Sequence, residues 1–153
     1  MDVMQRRREL MAMQKIGPTI VNLCPAATGT EIVEKFSVSN AYRRYMITGL
    51  DPNQDYTLQA TWTKTWETIS NRRLYLNGIS TNAMIRPTTE DTVAPFTKSV
   101  TTKPSADGTL EIAANNNGLT SVNISGPEYA ASMVNIMLEI GSVAHPFVPY
   151  VEP

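Results

Sequence analysis

Apolar and polar residues alternate with a period of two along most of this chain. Tyr56, Leu58, Ala60 and Trp62 alternate with Thr57, Gln59, Thr61 and Thr63, which predicts a strand with one face on a core and the other in water. Ile32, Phe36 and Val38, then Leu74 and Leu76, then Leu110, Ile112 and Ala114, then Val122 and Ile124 repeat that spacing. Near the end, Val134, Ile136, Leu138 and Ile140 make an aliphatic face opposite Met133, Asn135, Met137 and Glu139. Turn signals separate the runs: Asp51-Pro52-Asn53, Asn77-Gly78, Asp107-Gly108, Asn115 to Gly118, and Gly126-Pro127. Asn77-Gly78 suits a two-residue type I′ hairpin, since both residues tolerate positive φ. Eight or more short strands with no internal repeat or linker over residues 19–150 predict one β-sandwich. In that register Leu58, Trp62, Ile112, Ile136 and Leu138 are core, and Gln59 faces water, so that Gln59→Ala should change little.

The first residues read differently. Residues 2–15 are almost all Met, Gln, Arg, Glu, Leu and Ala, good helix formers, and Gly17-Pro18 ends the run. A helix of this length is marginal alone. Val3, Met4, Leu10, Met11 and Met13 form a ragged apolar stripe whose single seven-residue repeat falls short of a coiled coil. The chain therefore divides into an N-terminal helix, residues 1–17, and a β domain, residues 18–153.

Composition narrows the class. With 42% hydrophobic and 18% charged residues, the chain is neither disordered nor membranous. It has no run of about 20 apolar residues that would insert in a membrane, and the patch Leu10 to Met13 is too short for the apolar region of a signal peptide. A net charge of −1 lacks the basic field that nucleic acid requires. Arg6, Arg7, Arg8 and Lys15 nevertheless give the helix a basic character against Asp2 and Glu9. The single cysteine, Cys24, cannot form an internal disulfide and reads as a buried small hydrophobe.

Catalytic chemistry finds little to build on. The lone histidine, His145, lies in a proline-rich tail, Pro146-Phe147-Val148-Pro149-Tyr150, as a turn residue rather than a general base. One Cys and one His cannot close a zinc shell. Glu34, Glu67, Glu90, Asp91, Glu111 and Glu139 are available carboxylates, but spacing pairs none of them across a cleft. Glu90-Asp91 could offer oxygens to a structural calcium, although the D-x-D-x-D-G loop pattern is missing. No other cofactor is implied. Aromatic and cationic residues suited to a glycan or a neighbouring subunit are Trp66, Arg72, Arg73 and Tyr75, the last out of phase with Leu74 and Leu76; Trp62, in phase with Leu58, reads as core.

Several segments together carry a family resemblance over roughly residues 20–150. The closing strand followed by Gly141-Ser142-Val143-Ala144-His145-Pro146-Phe147-Val148-Pro149-Tyr150, the opening Asn22-Leu23-Cys24-Pro25, the hairpin Gly49-Leu50-Asp51-Pro52-Asn53-Gln54-Asp55-Tyr56-Thr57-Leu58, and the Thr-rich Phe96 to Pro104 before Gly108-Thr109-Leu110 resemble jelly-roll modules. Those modules are similar to carbohydrate-binding modules and occur in tail proteins of bacteriophages and prophages. Gln54 stands where the pattern usually has Thr. The start, Met-Asp-x-x-Gln-Arg-Arg-Arg-x-Leu-Met, likewise resembles prophage tail proteins. The resemblance implies a jelly-roll β-sandwich and a non-enzymatic virion structural protein, a tail, fibre or capsid-decoration subunit assembled in the bacterial host cytoplasm.

Two readings follow for partners. In the first, the helix docks the subunit to sister subunits or other virion proteins through Val3, Met4, Arg6, Arg7, Arg8, Leu10, Met11 and Met13, most simply as a homo-oligomer. In the second, the β domain is a carbohydrate-binding module for host surface glycan.

Overall fold

The structure, a computed structural model, describes residues 2–16, 20–39, 41–69, 72–79, 83–115 and 130–153. Helix α1 spans Val3–Ile16 and α2 Gly29–Lys35. Strands β1 (Ser37–Ser39), β2 (Tyr42–Ile47) and β3 (Tyr56–Trp62) precede a single turn of helix, α3 (Trp66–Ile69). Then come β4 (Leu74–Asn77), β5 (Met84–Ile85), β6 (Phe96–Thr102), β7 (Leu110–Asn115) and β8 (Met133–Ile140). Among the described residues these strands make two antiparallel sheets, ordered β1-β2-β7-β4-β5 and β6-β3-β8. The protein is mostly β with a small N-terminal helix.

One core joins the sheets. Ile47, Leu74, Leu76, Leu110 and Ile112 from the larger sheet meet Tyr56, Leu58, Trp62, Ile136 and Leu138 from the smaller, all fully buried. Trp62 stacks on Phe96, centroids 5.6 Å apart, and its indole N–H donates to the Arg72 carbonyl at 2.9 Å, so its polar tip is satisfied while the ring is buried. The five core positions expected from the period of two are all buried.

Four expectations need correction. Ile32 belongs to a helix rather than a strand. Thr28 caps α2 by accepting from the Glu31 N–H at 3.1 Å, while the Glu31 carboxylate accepts from the Ala27 N–H at 3.2 Å. Thr-x-x-Glu is a helix-start signal, and it overrides the strand reading. Ile32 and Phe36 then enter the core from that helix while Val38 stays exposed.

Asn77-Gly78 does not make a two-residue hairpin. Strand β4 pairs with β5 as Leu74↔Ile85 and Tyr75↔Met84, and the Leu76 N–H donates to the Ala83 carbonyl, so the connection is longer. Gly78 is not among the positive-φ glycines; a Cβ there would strike the Lys103 carbonyl oxygen and the Leu110 side chain. Close approach, not turn geometry, is what requires glycine at this position.

The aliphatic face of β8 changes phase. The pairing with β3 shifts register between Gln59 and Thr61, and Asn135 adopts φ 53. This bulge spends one extra residue, so Met133 rather than Val134 reaches the core: Met133 is fully buried and Val134 half-buried.

Gln59 is buried despite pointing away from the core. The tail after β8 folds back over the outer face of the β6-β3-β8 sheet. Thr57 donates to the Gly141 carbonyl at 2.7 Å, the Gln59 side-chain amide donates to the His145 carbonyl, and the Val148 N–H reaches the Met137 sulfur at 3.4 Å. Both faces of β3 are therefore covered, which leaves Thr57, Gln59 and Glu139 buried. Val122, Ile124, Asn116 to Gly118 and Gly126-Pro127 lie outside the described residues.

Candidate functional site

Helix α1 begins at Asp2, whose side chain accepts from the Gln5 N–H at 2.8 Å as an N-cap. Among its described side chains only Arg7 is buried, at 4% exposure. The guanidinium donates to the Tyr45 hydroxyl at 3.4 Å, and its charge acts on the Tyr150 hydroxyl. Burial raises the Tyr150 pKa, Tyr45 and Glu152 add to that, and Arg7 opposes it. Met4 lies against Gly49 yet remains 37% exposed, and Val3 is 48% exposed. Arg6 and Arg8 are exposed, Arg6 pairing with Glu9 at 3.5 Å, and Leu10 is half-buried. The side chains of Met11 and Met13 lie outside the described residues. Of the eight residues nominated for assembly, the structure thus turns Arg7 onto its own β domain, lays Met4 partly against Gly49 and leaves Val3, Arg6 and Arg8 outward.

The two tyrosines beside Arg7 are held by the β domain itself. Tyr45, on β2, stacks on Phe36 with centroids 5.4 Å apart. Tyr150 forms an isolated parallel bridge with Asn22. Asn22 donates to the Val148 carbonyl at 2.9 Å and accepts from the N–H groups of Cys24 and Leu138, so the tail is fixed where it meets the helix.

A second feature is the outer face of the five-stranded sheet. Tyr42, Arg44 and Met46 project there from β2, and Tyr75 and Asn77 from β4, on either side of Ala113 and Glu111 of β7. Tyr42 and Tyr75 meet edge to face at 5.7 Å, and the Arg44 guanidinium sits 5.4 Å from the Tyr42 ring centroid. Arg73 donates to the Tyr75 hydroxyl at 3.4 Å; Glu111 takes Asn77 at 3.0 Å and Arg44 at 3.8 Å. These side chains cover Ala113, which is 2% exposed although it faces away from the core. Sequence reasoning found Tyr75 and Arg73 but missed Tyr42 and Arg44. The run Tyr42-Arg43-Arg44-Tyr45-Met46-Ile47 has no clean polar and apolar alternation to show which residues face out.

The other nominated residues lie elsewhere. Arg72 is 4% exposed, its carbonyl bound to Trp62, and is not a surface contact. Trp66 opens α3, donates its N–H to the Asp91 carbonyl at 3.1 Å, and lines a cavity of about 210 Å³ with Thr65, Glu67, Thr89, Asp91 and Thr92. Glu90 is exposed. One Asp91 oxygen accepts from the Thr88 N–H at 2.6 Å, the Thr88 hydroxyl at 3.1 Å and Lys98 at 2.8 Å. Burial pushes the Asp91 carboxyl up, but the bonds from Lys98 and Thr88 outweigh it and hold the pKa below its ordinary value.

His145 has partners that its position in a tail did not suggest. Its ring Nδ1 pairs with the fully buried Glu139 carboxylate, and its backbone N–H donates to the other Glu139 oxygen at 3.0 Å. Together with Gln59 these contacts fasten the tail to the sheet; neither partner is a hydroxyl or thiol nucleophile. Cys24 is buried with its thiol on the Ala26 carbonyl at 3.2 Å, and burial pushes its pKa up to about 12. Among the described residues no three His, Cys, Asp or Glu side chains come together to hold a metal ion, and no helix is long and apolar enough to cross a membrane. Compared with protein-family models, curated proteins and solved structures, the chain matches none.

Proposed function

We propose that the chain is a non-enzymatic structural subunit of a bacteriophage virion, a tail, fibre or capsid-decoration component that displays a jelly-roll domain and docks through α1. The observation that carries this reading is the mismatch on α1: its one buried described side chain is a charged arginine, while Val3 and Met4 remain substantially exposed. A helix this short gains little from hydrogen bonding alone, and its own domain leaves Val3 about half exposed and covers Met4 only in part. A neighbouring subunit supplies the missing cover, with Arg6 and Arg8 meeting acidic groups at the rim. The order of motifs from Asn22 to Tyr150 supports the virion setting.

The test is the solution mass of the full chain beside a Val3→Asp/Met4→Asp variant. The reading expects a concentration-dependent oligomer that the variant loses while keeping its thermal unfolding; equal masses for the two proteins would sink it. The cavity beside Trp66 favours the second reading, a carbohydrate-binding module for host surface glycan, because an indole among threonine hydroxyls and a carboxylate suits a sugar ring.

A further inference from the structure

The cavity of about 210 Å³ beside Trp66 is lined by polar groups that the chain does not use on itself. Elsewhere its threonine hydroxyls are paired: Thr57 bonds Thr101 and Thr61 bonds Thr97, both at 2.7 Å, and Thr28 caps α2. Among the described residues the hydroxyls of Thr65, Thr89 and Thr92, the Glu67 carboxylate and the Trp66 indole N–H have no hydrogen-bond partner. Asp91 is paired on one side only. Its Oδ2 takes the Thr88 N–H, the Thr88 hydroxyl and Lys98, while Oδ1 takes none of them, on a side chain 15% exposed. The indole N–H of Trp62, the chain's other tryptophan, is by contrast bonded to the Arg72 carbonyl.

The walls of the cavity are tied together by backbone bonds. The Trp66 N–H donates to the Asp91 carbonyl at 3.1 Å, joining α3 to a turn in which Asp91 donates to the Thr88 carbonyl and Thr92 to the Glu90 carbonyl, both at 2.9 Å. Groups held in place this way lose little freedom on binding. Their chemistry then selects the occupant. Trp66 is the one hydrophobic residue among the six that line the cavity, so an apolar ligand finds little to bury against. Glu67 and Asp91 oppose an anion, and Lys98, already bonded to Asp91, is not in the lining. A quaternary ammonium ion would sit on the indole but leave three hydroxyls without partners. A neutral sugar ring answers each group: its C–H face covers the half-buried indole, and its hydroxyls, which both donate and accept, meet the threonines and Asp91 Oδ1. The volume lies below the roughly 300–1,000 Å³ of sites for drug-sized molecules, so it suits one ring rather than a length of chain.

We infer that this cavity binds the end of a glycan as a single neutral sugar ring, lying on Trp66 and donating a hydroxyl to Asp91 Oδ1. The inference rests on the glycan-binding reading of the cavity given above and narrows it to a class of ligand. Uronic and other acidic sugars do not fit, because their charge would lie between Glu67 and Asp91 with no cation in the lining to receive it. The hydroxyl bond to a carboxylate is charge-assisted, hence short and directional, so the site distinguishes epimers that differ in where that hydroxyl points.

Two tryptophans give the full chain two indole N–H signals in a nitrogen-15 correlation spectrum, and Trp66→Phe assigns them. The probes are the methyl glycosides of glucose, galactose and mannose, methyl glucuronide as the acidic counterpart, and tetramethylammonium. At least one neutral glycoside should shift the Trp66 signal saturably and leave that of Trp62 in place, with the glucuronide and the ammonium ion weaker by about tenfold or more. Trp66→Ala should weaken that glycoside about tenfold or more, read from the Thr89 and Thr92 amide signals. If that variant loses the wild-type spectrum, Thr89→Val/Thr92→Val takes its place with the same expected loss, since neither hydroxyl has a described partner to give up. Glucuronide or tetramethylammonium binding as tightly as the best neutral glycoside overturns the inference, and so does unchanged affinity in the folded variant. Neutral glycosides that move signals elsewhere, such as those of Tyr42 and Tyr75, but not that of Trp66 leave the glycan-binding reading standing and remove this site. No saturable shift anywhere with any glycoside overturns both.

Discussion

Replacing Gln59 with Ala probes the tail that closes the small sheet. Gln59 is 7% exposed, lies opposite Ser99 and Met137 in the register of β3, and donates its side-chain amide to the His145 carbonyl. Truncation removes that hydrogen bond, about 1 kcal/mol net, and takes away a buried methylene at roughly 0.8 kcal/mol. The unpaired His145 carbonyl adds to the cost, giving about 2–3 kcal/mol in all. For a domain of this size that corresponds to a fall in Tm of roughly 4–12 °C. Urea unfolding followed by tryptophan fluorescence reads the change, with Ser99→Ala, on the exposed edge strand of the same face, as the control expected to stay within about 0.5 kcal/mol. A double-mutant cycle with a variant lacking residues 142–153 isolates the coupling. If Gln59→Ala costs no more than the control, or its cost persists undiminished in the tail-less variant, the tail does not cover β3.

Other consequences are equally direct. Gly29→Ala should destabilise by about 1–3 kcal/mol or more in chemical denaturation, because the new Cβ would overlap the Ala130 carbonyl oxygen, a backbone atom that cannot swing aside. The Cys24 thiol should resist Ellman's reagent until the protein unfolds. Since its folded pKa is raised to about 12, its share of stability is complete below the unfolded value of about 8.5 and declines as pH rises from there toward the folded value; Cys24→Ala should remove that share of the alkaline loss. Asp91 has the opposite sign. Its lowered pKa gives stability that is present above about pH 4 and is lost as pH falls through the folded value. Asp91→Asn should therefore lower Tm at neutral pH, with the gap to wild type closing in acid.

Much of the β framework was legible because Leu58, Trp62, Ile112 and Leu138 sit in runs where one face is apolar and the other is not. The failures come from contacts made far along the chain. Gln59 looks solvent-facing until residues 141–150 fold over it, and no local pattern announces that a sheet will be covered twice. The bulge at Asn135 reverses the phase of two residues, which a strict period of two cannot register. Ile32 was different, because Thr28 and Glu31 carried a capping signal that outweighs strand spacing. For the candidate site, the helix was readable from composition and Gly17-Pro18, but the place where Arg7 is buried was not. Tyr45 and Tyr150 are more than a hundred residues apart, and only the fold makes them neighbours of Arg7.

The docking role of α1 is tested most directly by comparing the solution mass of the full chain with that of a protein starting at residue 20, alongside the thermal unfolding of each. The truncated protein should unfold cooperatively at nearly the same temperature and remain a single subunit at concentrations where the full chain associates. A truncated protein that assembles as the full chain does would contradict the account, making α1 a cap on its own domain and leaving the glycan-binding module as the better reading.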